Sequence, residues 1–134
     1  MTFYQNEILR IKNMCYANTA QIQKVVATRN YIEKHFDKPL NLDSLSHAGF
    51  TSKYHLLRLF KRYYGQTPMQ FLIDKRIEKS KFYLKKGITI SETCYLVGFE
   101  SPSSFSTLFK KKTGYMPSNF QKKQFSQSRS IGDF

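Results

Sequence analysis

Residues 56–62 read Leu56-Leu57-Arg58-Leu59-Phe60-Lys61-Arg62. Wound as a helix, the stretch turns Leu56, Leu59 and Phe60 to one side. Lys53, Tyr54, Leu57, Arg58, Lys61 and Arg62 fall mostly on the other side, which is cationic. Ser52 suits the start of this helix, because its side-chain oxygen can accept an amide hydrogen that the first turn leaves unpaired. Gly65 suits its end. Upstream, Asn41 can cap a short helix whose buried side is Leu42, Leu45 and Ala48, and Gly49-Phe50 makes the turn between the two helices. A short helix, a tight turn and a cationic helix form the layout of a helix-turn-helix, whose second helix enters the major groove of DNA.

The pattern occurs twice. Gly49-Phe50-Thr51-Ser52 returns as Gly98-Phe99-Glu100-Ser101, and Leu59-Phe60-Lys61-Arg62 as Leu108-Phe109-Lys110-Lys111. Gly65, Pro68 and Phe71 return as Gly114, Pro117 and Phe120. The offset is 49, dropping to 48 before Gly49. Such self-similarity marks a duplicated structural unit.

Between the copies, Thr67-Pro68 opens a connecting helix to about residue 86, with Gly87 after it. At 1.5 Å per residue it is about 28 Å long. Thr89, with Glu92 three residues on, can form a capping box, and Ile90 and Val97 face inward from the helix it opens. Ser101-Pro102 begins another helix ending near Gly114, and a short last helix starts at Pro117 and turns Phe120 inward. Ahead of the first unit, Gln21 to about Phe36 reads as a helix with Ile22, Val25, Val26, Ile32 and Phe36 on its apolar side. Asp37-Lys38-Pro39 stops it, because the residue before proline avoids the helical region. Residues 1–20 show no clear face and are expected as an arm or an extra helix. Residues 126–134 are expected as a flexible tail. The expected fold is all-α, a DNA-binding domain over 21–125 with units at 21–66 and 89–125 and a connecting helix at 68–86.

With 134 residues the chain is one domain, or two small ones sharing an element. A net charge of +13 calls for a polyanionic partner, nucleic acid before an anionic membrane surface. No run of about 18 apolar residues exists to span a bilayer. The first residues lack the basic-then-apolar order of a secretory signal. Cys15 and Cys94 form no metal-binding spacing and fit a reducing cytosolic setting. His35, His47 and His55 lack ligand spacing as well, so no metal and no cofactor is expected. No activated nucleophile, paired carboxylates or phosphate-cradling loop points to an enzyme, and no catalytic residue is assigned.

Leu42 to about Lys123 resembles the DNA-binding domain of the AraC/XylS-type bacterial transcription regulators. The resemblance rests on Ser52-Lys53-Tyr54-His55-Leu56-Leu57-Arg58-Leu59-Phe60-Lys61, Gly65-Gln66-Thr67-Pro68, Arg76-Ile77-Glu78-Lys79-Ser80, Val97-Gly98-Phe99-Glu100-Ser101, and Phe109 to Pro117. It implies seven helices, two helix-turn-helix units and a linking helix. In the first turn, Phe50 stands where the family usually has glycine and Thr51 at a usually apolar position. In the second unit Cys94 replaces a small residue, usually alanine. The resemblance also implies a structural role for Arg76, bonding a carboxylate or backbone carbonyls, and puts base-facing positions at Tyr54, Leu57 and Arg58.

Arg58 has the chemistry to read guanine through O6 and N7, or else it is a surface charge on a phosphate. Tyr54 can meet a thymine methyl or a phosphate, and Leu57 only an apolar surface. The second recognition helix offers Pro102, Ser103, Ser104, Ser106 and Thr107, mostly short hydroxyls that discriminate poorly, so docking through backbone and phosphates stands as its alternative. Ser52, Lys53, Lys61, Arg62, Ser101, Lys110, Lys111 and Lys112 are phosphate-contact candidates or, for part of the set, a solvated face. The partner expected is double-stranded DNA, bound by a monomer that seats two helices in successive major grooves about 34 Å apart. A stiff or short connecting helix would require the DNA to bend. RNA polymerase is a further partner to test, and a membrane is not one. A DNA-coating architectural protein with little sequence preference is the alternative function. Met1 favours a stand-alone regulator over a fragment of a longer one.

Overall fold

The structure, a computed structural model, describes residues 2–49 and 51–132, with the backbone alone at 15–17 and 128–132. Among the described residues it is all helix: α1 (Phe3–His35), α2 (Leu42–Ala48), α3 (Lys53–Tyr64), α4 (Pro68–Lys85), α5 (Ile90–Leu96), α6 (Pro102–Thr113) and α7 (Pro117–Gly132). Two compact units divide them. One takes α1 up to Lys34 together with Asn41–Met69. The other takes His35–Leu40 and the chain from Gln70 onward. The segment after α1 thus belongs with the second unit, not with the first as the 21–66 boundary supposed.

In the first unit, α2 packs on α3. Val25, Thr28 and Ile32 of α1, Leu45 of α2, and Leu56, Leu59 and Phe60 of α3 are buried. Two residues expected inside, Ile22 and Val26, are instead 46% and 39% exposed. The inward face of α1 is rotated toward Thr28, whose hydroxyl donates to the Lys24 carbonyl at 3.0 Å and so enters the core satisfied. A Cβ on Gly49 would come 2.8 Å from the Thr28 Oγ1. Glycine there allows α2 to close on α1. Asn41 makes a full capping box: its side chain accepts from the Ser44 amide at 2.8 Å, and the Ser44 hydroxyl accepts from the Asn41 amide at 3.0 Å.

In the second unit, α5 packs on α6 and α6 on α7. The core holds Ile77, Leu84, Cys94, Val97, Phe99, Phe105 and Phe109, with Phe36, Ile90 and Phe120 packed against it. Phe99, Phe105, Phe109 and Phe120 form a chain of tilted and edge-on rings 5.3–5.6 Å apart. Arg76 ties segment 36–38 to α4. Its Nε donates to the Phe36 carbonyl at 2.7 Å, an Nη donates to the Lys38 carbonyl at 2.9 Å, and the guanidinium lies 5.6 Å from the Phe99 ring centre. Burial pulls its pKa down, with Glu100 and Asp37 opposing. Cys94 fills its site as a small apolar group, and burial raises its thiol pKa. The Cys15 side chain lies outside the described residues.

Two further differences from the sequence reading lie at the ends. Residues 3–20 are neither an arm nor a separate helix but continue α1 without a break. α7 runs on through Gly132 instead of giving way to a tail at 126, because the stretch after Phe125 holds no proline and no glycine before Gly132. Residues 133 and 134 lie outside the described part.

Candidate nucleic-acid interface

The duplication is reproduced element by element. α2 and α5 have 7 residues each, and α3 and α6 have 12 each. The turn between the helices is where the copies differ. The Thr51 amide donates to the Ser46 carbonyl at 3.1 Å, as the Phe99 amide does to the Cys94 carbonyl at 3.0 Å. Gly49 (φ −88°) matches Val97 (φ −95°), so its structural counterpart is Val97 and not Gly98. The pairing of Gly49 with Gly98, drawn from sequence likeness, is therefore corrected. The first turn is one residue shorter, and Thr51 takes the position of buried Phe99. Phe50, where a turn glycine was missed, lies outside the described residues. In the second turn Gly98 has φ 93°, and a Cβ there would meet the Phe36 carbonyl oxygen at 2.8 Å.

α3 starts where Ser52 Oγ accepts from the His55 amide at 3.2 Å, and stops at Gly65 with φ 73°. Its outer side carries Tyr54, 78% exposed, and exposed Lys53, Arg58, Lys61 and Arg62, while Leu57 is half-buried. Lys53 Nζ sits 2.6 Å from Asp43 Oδ1, and that hydrogen bond raises its pKa. The Arg62 guanidinium lies 5.9 Å from the centre of the Tyr63 ring.

α6 repeats this design with smaller side chains. Ser101 Oγ accepts from the Ser104 amide at 3.3 Å, Pro102 occupies the first turn, and Gly114 (φ 85°) ends the helix. Pro102, Ser103, Ser104, Thr107, Lys110, Lys111 and Lys112 are exposed, and Ser101 and Ser106 are half-buried. Position by position, Tyr54, Leu57, Arg58, Lys61 and Arg62 correspond to Ser103, Ser106, Thr107, Lys110 and Lys111, with the same exposure at each pair. The Thr107 hydroxyl donates to the Ser103 carbonyl at 2.9 Å, which leaves it free only to accept. Ser103, Ser104, Thr107 and Leu108 line an open depression of about 320 Å³. Lys112 Nζ pairs with Asp74 Oδ1 at 2.9 Å.

A family model described as a helix-turn-helix domain matches residues 45–123. A solved structure described as the C-terminal domain of AraT, a response regulator from Geobacillus stearothermophilus, is 31% identical and has a TM-score of 0.72, covering 75% of this chain and 84% of that one. The chain belongs to the AraC/XylS family of helix-turn-helix DNA-binding domains. The same fold, with a TM-score of 0.75 at 19% identity, occurs in the DNA-binding domain of AdpA, described as a global transcriptional factor in complex with a target DNA; 78% of this chain and 96% of that one are covered. A curated relative from Pseudoalteromonas carrageenovora, named as an uncharacterized HTH-type transcriptional regulator, is 38% identical over 93 residues, 69% of this chain and 55% of that protein. The chain spans about half the length of the curated relatives it matches.

The AraC-type match starts inside α2 and so leaves α1 outside it. Within the matched part, the two carboxylates that hold candidate lysines, Asp43 just before it and Asp74 inside it, escaped the sequence reading. Each comes from a different helix than its lysine, and no local pattern marks such a pair. Leu108 escaped too, since its equivalent Leu59 is buried whereas Leu108 is half-exposed at the edge of the depression. Among the described residues no group of three or more His, Cys, Asp or Glu side chains is placed to hold a metal ion, and no helix is long and apolar enough to cross a membrane.

Proposed function

We propose that the chain binds double-stranded DNA sequence-specifically as the recognition part of a transcription regulator, with α3 and α6 entering successive major grooves. The observation that carries this reading is the matched exposure of the two helices: equivalent positions face out on both, over equivalent buried anchors. One copy of the chain then suffices for one site, and the site is not palindromic, because α3 and α6 carry different side chains.

The readers divide by chemistry. Arg58 donates two hydrogen bonds to guanine O6 and N7. Tyr54 and Leu57 supply apolar contact beside it, on a thymine methyl where one is present. On α6, Thr107 accepts from an exocyclic amino group of adenine or cytosine, since its proton is already engaged. Ser103, Ser104 and Ser106 bond more permissively, and Pro102 contributes shape. Ser52, Lys53, Lys61, Arg62, Ser101, Lys110, Lys111 and Lys112 hold phosphates. For Lys53 and Lys112 this means exchanging a carboxylate for a phosphate oxygen. Specificity therefore concentrates in the α3 half of the site. Selection of bound duplexes from a random pool tests this. The expected result is a sharp α3 half containing a guanine and a degenerate α6 half, with specific duplex winning over bulk duplex by about 10³ or more. Enrichment of no sequence would favour the architectural alternative.

A further inference from the structure

α1 is 33 residues long, yet only its C-terminal part is packed in the first unit. Read from Tyr4, the helix places residues at alternating steps of four and three: 4, 8, 11, 15, 18, 22, 25, 29 and 32. Seven of these nine are apolar or cysteine. That is the 3.5-residue repeat of a helix built to lie against another helix. At the C-terminal end the stripe is covered by the protein itself: Val25 is 1% exposed and Ile32 0%. Toward the N-terminus the same stripe is bare. Tyr4 is 74% exposed, Ile8 38%, Ile11 54% and Ile22 46%. The opposite side carries Asn6, Asn13 and Ala20, while Phe3 and Leu9 fall off the stripe. A helical segment draws most of its stability from packing one face, and the N-terminal part of this stripe is exposed.

We infer that the N-terminal half of α1 is a dimerisation segment that pairs in parallel and in register with α1 of a second copy of this chain. Charge and register select that occupant. In the heptad numbering Ile8, Cys15 and Ile22 are a positions, and Tyr4, Ile11 and Asn18 are d positions. Glu7 then falls at g and Lys12 at the following e, the two positions that meet across a parallel pair. A two-fold axis makes the Glu7–Lys12 contact twice. Glu7 holds Arg10 of its own helix through one oxygen, at 3.0 Å, which leaves the other for the second copy. Asn18 faces its own counterpart only in this arrangement, where each carboxamide can both donate and accept. An antiparallel pair would set it against an apolar residue. The shared stripe from Tyr4 to Ile22 is about 27 Å long. A seam of under three heptads associates in a concentration-dependent way, and the dimer carries two DNA-binding domains to two neighbouring sites.

Sedimentation equilibrium on the full chain tests this between about 1 and 100 µM, since association is governed by mass action. The expected mass rises from 15.8 kDa toward twice that value. Ile11→Asp should remain at the single-chain mass with unchanged melting of the rest of the chain, because Ile11 lies outside the core. Asn6→Asp, on the far side of the helix, should dimerise like the parent. Mild oxidation adds an independent readout. Cys15 is an a position by sequence register, so a parallel, in-register pair predicts a covalent dimer that vanishes in Cys15→Ser, with Cys94 buried. A single-chain mass at every concentration, dimerisation of Ile11→Asp equal to the parent, or a dimer that never cross-links through Cys15 would each overturn the inference.

Discussion

Replacing Gly98 by alanine tests the turn that orients α6, and the structure supplies both parts of the expected loss. The first part is conformational. At φ 93° an L side chain is strained, worth about 1–2 kcal/mol. The second is steric. The new Cβ would lie 2.8 Å from the Phe36 carbonyl oxygen and 3.0 Å from the Asp37 carbonyl carbon. Both are backbone atoms, and Arg76 clamps that backbone through the Phe36 and Lys38 carbonyls. It cannot step aside without breaking charge-assisted hydrogen bonds. Overpacking of this kind costs about 1–3 kcal/mol. The sum is about 2–5 kcal/mol, a large share of a typical stability of about 5–15 kcal/mol. Gly114→Ala is the matched comparison: φ is 85°, but nothing lies within 4 Å of its Cβ, so only the conformational part of about 1–2 kcal/mol applies. Urea unfolding followed by far-ultraviolet circular dichroism reads the difference. With a slope of about 2 kcal/mol per molar, Gly98→Ala should move the midpoint down by roughly 1–2.5 M, and Gly114→Ala by roughly 0.5–1 M. Equal shifts would show that segment 36–38 yields freely and that Arg76 does not clamp it.

Three other perturbations follow from the same geometry. Arg58→Ala should lose about 1–3 kcal/mol of affinity and relax one base preference in a binding-site selection, whereas a uniform loss across sequences would make Arg58 a phosphate contact. Joint replacement of Lys110 and Lys111 by glutamine should leave the preferred sequence unchanged and lower the slope of log affinity against log salt by about 2 in mobility-shift titrations. Thr93→Val should stabilise the chain by about 1–2 kcal/mol in thermal unfolding, because the Thr93 hydroxyl is buried in the second unit with no hydrogen-bond partner.

Much of the fold was legible because helix ends are local events. Asn41, Ser52, Thr89 and Ser101 all cap where their types and positions suggested, and Gly65 and Gly114 end α3 and α6. Burial on α3 was legible as well, since Leu56, Leu59 and Phe60 are strongly segregated from the cations. The failures share a different cause. Which face of α1 turns inward depends on the close approach of Gly49 to Thr28, a contact between residues 21 positions apart, and not on apolar spacing alone. The assignment of segment 35–40 to the second unit depends on Arg76, some 40 residues away. Residues 1–20 looked patternless in a short window because their stripe has a period of 3.5 and declares itself only when read on into Val25 and Ile32. Of the interface, the side chains facing out on α3 and α6 were legible, whereas the carboxylates of Asp43 and Asp74 that hold Lys53 and Lys112 needed the folded chain.

Hydroxyl-radical footprinting of the chain on its selected duplex tests the central proposal most directly. Two recognition helices in successive major grooves should protect two patches on one face of the duplex, centred about 10–10.5 base pairs apart. Arg58→Ala should weaken only the patch under α3, and a Thr107→Ala exchange only the patch under α6. One patch alone, or even protection along the whole fragment, would contradict the two-helix reading.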